Sequence, residues 1–197
     1  AQLRLLQAQM EPHFLFNTLA NVVSLMEADT ARAKAMLESF TDYLRASLVS
    51  LRKPEHALGD ELDLVEAYLR VVKVRMDDRL HYRIEVPADL RAQRVPALSL
   101  QPLVENAVVH GLEPSIEGGQ IVVSARVDRG RLVIRVADDG VGLGTPSRTA
   151  RPGSGTALNN LRERLSQTHA ERAALTLEAA APHGVLATLT LPAGAPR

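Results

Sequence analysis

Apolar positions along this chain recur first with a helical period and later with a period of two. Residues 1 to about 28 contain no glycine and one proline, Pro12, and predict one helix. Asp29 and Thr30 supply a break with capping chemistry. Ala35, Leu37, Phe40, Leu44 and Leu48 mark a second helix over 31–52, and so short a link folds the pair into an antiparallel hairpin. Pro54 and Gly59 set a boundary, after which DELDLVEAYLRVVKVRM reads as a third helix capped by Asp60. Then the period changes. LHYRIEV alternates as a strand, ALSLQPLVENAVVHGL returns to helix, and QIVVSARVD and RLVIRVADD are strands joined by a tight turn at Arg129-Gly130. Residues 144–156, GTPSRTARPGSGT, are too polar to pack and read as a mobile segment. ALNNLRERLSQTH is a helix, and AALTLEA with VLATLTLP closes the chain as a second hairpin. The pattern predicts an α+β fold: a helical hairpin over residues 1–55, then a domain over 56–197 with a largely antiparallel sheet.

Composition narrows the chemistry. The 197 residues are 46% hydrophobic but only 3% aromatic, with no tryptophan, so the core is built from Leu, Val and Ala. Twenty-three basic and 23 acidic side chains cancel, which disfavours direct nucleic-acid contact through bulk electrostatics. With no cysteine, disulfides, thiolate metal sites and cysteine nucleophiles are excluded together, as suits a reducing compartment. No apolar run reaches the roughly 18 residues of a membrane span, and no signal peptide is visible. The opening AQLRLLQAQM is already helical in pattern and reads as the cut edge of a longer protein.

Within the first helix, EPHFLFN (residues 11–17) sets an ionisable ring among bulky apolar neighbours. Leu3, Leu6, Met10, His13 and Asn17 share one face, and His13 and Asn17 stand one turn apart. Asn17 can hydrogen-bond one ring nitrogen and leave the other as a nucleophile. The alternative is a bundle histidine satisfied by Asn17 and without chemistry. Phe14, Leu15 and Phe16 point three ways, which makes the helix apolar nearly all round. A hairpin covers one side, and a second copy covers the other most simply, giving a dimeric four-helix bundle. Pro12 is expected to bend the helix and free the carbonyl of Ala8.

Three elements of the second domain form a set. LVENAVVHG (103–111) puts Asn106 and His110 on one helix face, and the Asn106 amide oxygen suits a phosphate-bound Mg²⁺. DDGVGL (138–143) follows a strand with Asp138, Gly140 and Gly142 in a D-x-G-x-G pattern, where a carboxylate can accept a hydrogen bond from an exocyclic amine. GSGTALNNLRERL (153–165) runs from a glycine-rich loop into a helix N-terminus, which favours phosphate. Taken singly, the first reads as a solvent-facing asparagine and the second as a plain β-turn after a strand. The Walker pattern and the dinucleotide fingerprint are both absent.

Their order resembles the ATP-binding domain shared by histidine kinases, type II topoisomerases and Hsp90-type chaperones, the α/β-sandwich Bergerat fold. With EPHFLFN and LQPLVENAVVHG, the chain is similar to sensor histidine kinases of the LytS/YehU type from Leu5 to Pro192. The resemblance implies His13 as phosphoacceptor, oriented by Asn17. It implies ATP between the Asn106 helix and residues 138–158, with Asp138 reading adenine, Asn106 holding Mg²⁺, and His110, Gly140, Gly142, Gly153, Gly155 and Leu158 completing the site. It also implies a homodimer, transfer to an aspartate of a response regulator (in this subfamily often of LytTR type), and a cytoplasmic position below an inner-membrane sensor of a bacterium. Pro102 stands four residues before Asn106, where many ATP hydrolases of the wider group carry a water-activating glutamate. Ala157 replaces a glycine, and Gly184-Val185 replaces a Gly-Thr pair. Those two departures keep a degenerate signalling scaffold in view as a second reading; a non-kinase ATPase is a third.

Overall fold

The computed structural model describes residues 12–50, 55–144, 154–169 and 172–194. Helices α1 (Pro12–Ala28) and α2 (Thr30–Ser50) form the hairpin. Asp29 caps α2: its Oδ1 accepts the Arg32 N–H at 3.0 Å, and its carbonyl accepts the first helical bond from Ala33. The bend at Pro12 and the Leu3-Leu6-Met10 face lie outside the described residues.

Phe14 corrects one expectation. Its cover comes from within the chain: its ring meets those of Tyr43 at 5.6 Å, Tyr68 at 5.1 Å and Phe40 at 6.4 Å between centroids. These three partners sit on two helices: Phe40 and Tyr43 on α2, and Tyr68 on α3 (Leu58–Met76), which packs along α2. Leu15 is half-buried, and Phe16 is 72% exposed.

Asp60 corrects another. α3 begins two residues before it, with Ala57 at the N-cap, and the Asp60 carboxylate folds back to accept the Ala57 N–H at 3.2 Å. An acid in the first turn serves the helix from inside as well as a cap does from outside. At the other end, the Arg32 guanidinium donates to the Val74 carbonyl at 2.7 and 3.1 Å and ties α2 to the end of α3.

Short strands β1 (Glu55–Ala57) and β3 (Arg94–Pro96) pair antiparallel on their own. The main sheet holds β2 (Leu80–Glu85), β4 (Gly119–Asp128), β5 (Arg131–Asp138), β6 (Ala174–Ala179) and β7 (Val185–Pro192) in the order β2-β4-β5-β7-β6. Only β2 with β4 is parallel, and helix α4 (Gln101–Asn106) lies in that crossover. The β4–β5 hairpin turns at Arg129 and Gly130 with φ of 50° and 73°, as a two-residue turn requires. α4 begins at Gln101 rather than Ala97, because Leu98 has φ of 54° and breaks the helical path. It continues as a π-helical stretch, Ala107–Leu112. Helix α5 (Ser154–His169) already includes residues 154–156, which were expected in the polar segment; 145–153 lie outside the described residues.

Strands β4, β5 and β7 bury alternate residues, so one sheet face packs on the helices as a two-layer sandwich. One continuous apolar cluster runs from Val22 and Met36 through Leu69 and Val104 to Ile134 and Leu189.

Candidate nucleotide site

The alternation of β5 decides where Asp138 goes. Leu132, Ile134 and Val136 are the buried positions, and Asp138 is next in phase. An acid therefore ends the core face of the sheet, only 5% exposed. Its Oδ1 accepts the Gly140 N–H at 3.0 Å. Burial pushes its pKa up to about 6; the N–H groups of Gly140 and Val185 pull it down, and Asp139 raises it. A buried carboxylate with spare acceptor capacity is what an exocyclic amine needs.

Missing side chains hold it there. A Cβ on Gly111 would lie 2.5 Å from Asp138 Oδ1, and one on Gly140 would lie 2.2 Å from the Gly111 carbonyl oxygen. That same oxygen accepts the Val141 N–H at 3.0 Å. The end of the π-helical stretch and the turn after β5 thus interlock backbone to backbone. Sequence reasoning named Gly140 and missed Gly111, although a glycine within a helical run was a signal of close approach.

Asn106 is the last residue of α4, half-buried, and the helix widens directly after it. The Glu113 N–H reaches the Val108 carbonyl, five residues back, at 2.8 Å. Such widened turns occur often at functional sites. His110 is half-buried within the stretch, adjacent to Gly111. On the same helix Gln101 Nε2 donates to Tyr43 Oη at 3.1 Å and to Glu105 Oε1 at 2.7 Å, so the hairpin is tied to the helix that carries Asn106.

A cleft of about 590 Å³ borders the turn, lined by Ser115, Glu117, Gly118, Gly119, Asp139, Gly140, Val141 and His183. His183 Nδ1 lies 3.2 Å from the Gly140 carbonyl oxygen. Asn106 and His110 do not line this cleft. Gly142 follows with φ of 82°.

The other predicted residues are dispersed. His13 is in the first turn of α1, and Asn17 is half-buried one turn later. Gly155 falls in the first turn of α5, Gly153 lies outside the described residues, and Leu158 is buried in the core. Ala157 is helical, a conformation in which alanine is favoured over glycine. Val185 starts β7 opposite Asp138. Among the described residues no group of three or more His, Cys, Asp or Glu is arranged to hold a metal ion, and no helix is long and apolar enough to cross a membrane.

Comparison with known proteins bears on the family and the fold. Residues 1–80 match the family model for histidine kinase, and residues 96–195 match that for histidine kinase-, DNA gyrase B-, and HSP90-like ATPase. The sensor histidine kinase BtsS of Escherichia coli K12 is 34% identical over 169 residues, 85% of this chain and 29% of that protein. The sensor protein LytS of Staphylococcus haemolyticus is 32% identical over 186 residues, 90% of this chain and 32% of that protein. The chain thus spans about a third of the length of these relatives. Among solved structures, the Acinetobacter baumannii histidine kinase AdeS superposes with a TM-score of 0.52 at 15% identity, over 99% of this chain and 96% of that one, a likeness of fold alone. The chain belongs to the histidine kinase-, DNA gyrase B- and HSP90-like ATPases, and within them to the sensor histidine kinases of the LytS/YehU type.

Proposed function

We propose that the chain is the catalytic core of a two-component sensor, a protein histidine kinase that phosphorylates its own His13 from ATP and passes the group to a response-regulator aspartate. The observation that carries this reading is the buried Asp138 carboxylate, locked by Gly111 and Gly140 at the end of β5. In it Asp138 accepts the adenine amine, and Asn106, His110, Gly140 and Gly142 line the nucleotide, with the Gly153–Leu158 segment at the phosphates. Asn106, with an amide oxygen at the α-to-π junction, would hold Mg²⁺, which neutralises phosphate charge when bound. Asn17 orients the His13 ring. Pro102 in place of an acid favours transfer over hydrolysis.

Residues 1–55 act in this reading as the dimerisation and phosphotransfer hairpin, and 56–197 as the ATP-binding domain. The dimer is supported by an exposed stripe on α1: Phe16, Leu19, Val23 and Met26 are spaced three, four and three residues apart, the seam of a helical bundle. Leu37 and Leu48 extend the exposed apolar surface on α2. The partner regulator is of LytTR type, and a membrane-anchored sensor lies upstream in the longer protein. Incubation with γ-labelled ATP and Mg²⁺ tests the reading: acid-labile, base-stable label is expected. A chain that binds ATP but takes no label is the scaffold instead, and one that releases phosphate without taking label is a simple ATPase.

A further inference from the structure

We infer that Arg164 and Glu61 are positioning residues for the phosphate end of the nucleotide site, acting through the turn at Leu98; the inference rests on the nucleotide-binding reading above. Glu61 is fully buried on the apolar side of α3, among Leu58, Leu62 and Val65. Its Oε1 accepts the Leu98 N–H at 2.7 Å, and its Oε2 accepts those of Ser99 at 2.9 Å and Leu100 at 3.2 Å. His56 Nδ1 lies 3.0 Å from Oε1. Leu100 is the N-cap of α4, so a carboxylate from another helix gathers the N–H groups that lead into it.

From the other side, Arg164 Nη2 on α5 donates to the Leu98 carbonyl at 3.1 Å. One residue is therefore gripped at both ends, its N–H by α3 and its carbonyl by α5. Leu98 is also the described non-glycine residue between β3 and α4 with positive φ, a conformation that a branched side chain adopts only when its surroundings impose it. α4 and α5 pack on each other. The turn is thus a joint between the helix that ends at Asn106 and the helix that the glycine-rich segment opens. At the far end, the Gly111–Gly140 interlock holds Asp138 through its own backbone contacts with the turn after β5. Releasing the Arg164 grip is expected to let α5 move relative to the helix that carries Asn106, while the Gly111–Gly140 interlock still holds the adenine end.

The consequence is selective. Losing the charged donor of Arg164 costs Mg·ATP about tenfold in affinity, while adenosine stays within about twofold. The experiment titrates Mg·ATP by calorimetry and adenosine by NMR on wild type, Arg164→Met and Arg164→Lys, with a thermal melt of each. Arg164→Met is expected to lose Mg·ATP selectively, and Arg164→Lys to recover most of it, because lysine still donates to the Leu98 carbonyl. Unchanged Mg·ATP affinity in Arg164→Met overturns the inference. So does an equal loss for both ligands, which marks a general packing role. If Arg164→Met does not fold, Arg164→Gln, which also lacks the charged donor, decides on the same criterion: a selective loss of Mg·ATP supports the inference and no loss overturns it. A wild-type chain that binds neither ligand defeats the nucleotide reading itself and the inference with it.

Discussion

Asp138 is an acid held where acids are expensive, and the sign of its linkage gives a test. Its folded pKa, about 6, lies above its ordinary 3.8, so the folded state holds the proton more tightly. This group's contribution to stability is therefore greatest below 3.8 and is lost as pH rises through about 6. Nucleotide affinity runs the other way, because the charged form accepts the adenine amine. ATP affinity should fall about tenfold per pH unit below pH 6, and Asp138→Asn should bind weakly and without that dependence. A pH-independent affinity in wild type would place adenine recognition elsewhere. Gly111→Ala should be as damaging as a change at Asp138, since its Cβ would meet the carboxylate at 2.5 Å. A destabilisation of about 2 kcal/mol, read by urea unfolding, is expected with loss of ATP binding. D-x-G-x-G was legible in the sequence because glycines after an acid are a local pattern. Gly111 signals only that some group comes close, and Glu61 signals nothing, because the partner of each is distant in sequence.

Among the elements, those set by local chemistry were the legible ones. The Arg129-Gly130 hairpin, the Asp29 break and the alternation of the strands need only neighbours to specify them. The start of α4 needed more: Leu98 takes a left-handed conformation that no leucine announces, and Glu61 and Arg164 impose it from two other helices. The sequence sets the start of α3 too late because Asp60 reads as its cap, whereas Ala57 holds that position and Asp60 sits in the first turn. The docking of the hairpin was likewise hidden, since it depends on Phe14 reaching Tyr68 across helices. Phe14→Ala should remove this ring contact and lower stability by about 3 kcal/mol in denaturant unfolding. A change within about 0.5 kcal/mol would mean that the aromatic cluster does not hold α1 down.

At the scale of the whole molecule, the residues assigned to chemistry lie on elements far apart in sequence, His13 in the first turn of α1 and Asp138 at the end of β5. The exposed stripe on α1 offers a seam for a second copy, so Val23→Glu should turn a dimer into a monomer in light scattering at micromolar concentration. A Val23→Glu dimer would move the interface elsewhere. The central claim is that ATP held in the sandwich is spent on one side chain of the hairpin. The most direct measurement is autophosphorylation of wild type and His13→Gln from γ-labelled ATP, with the labelled peptide mapped by mass spectrometry. The account predicts label on His13 in wild type and none in His13→Gln, with fold, dimer and ATP binding retained. Label that persists in His13→Gln and maps to another histidine, such as His110, would contradict it.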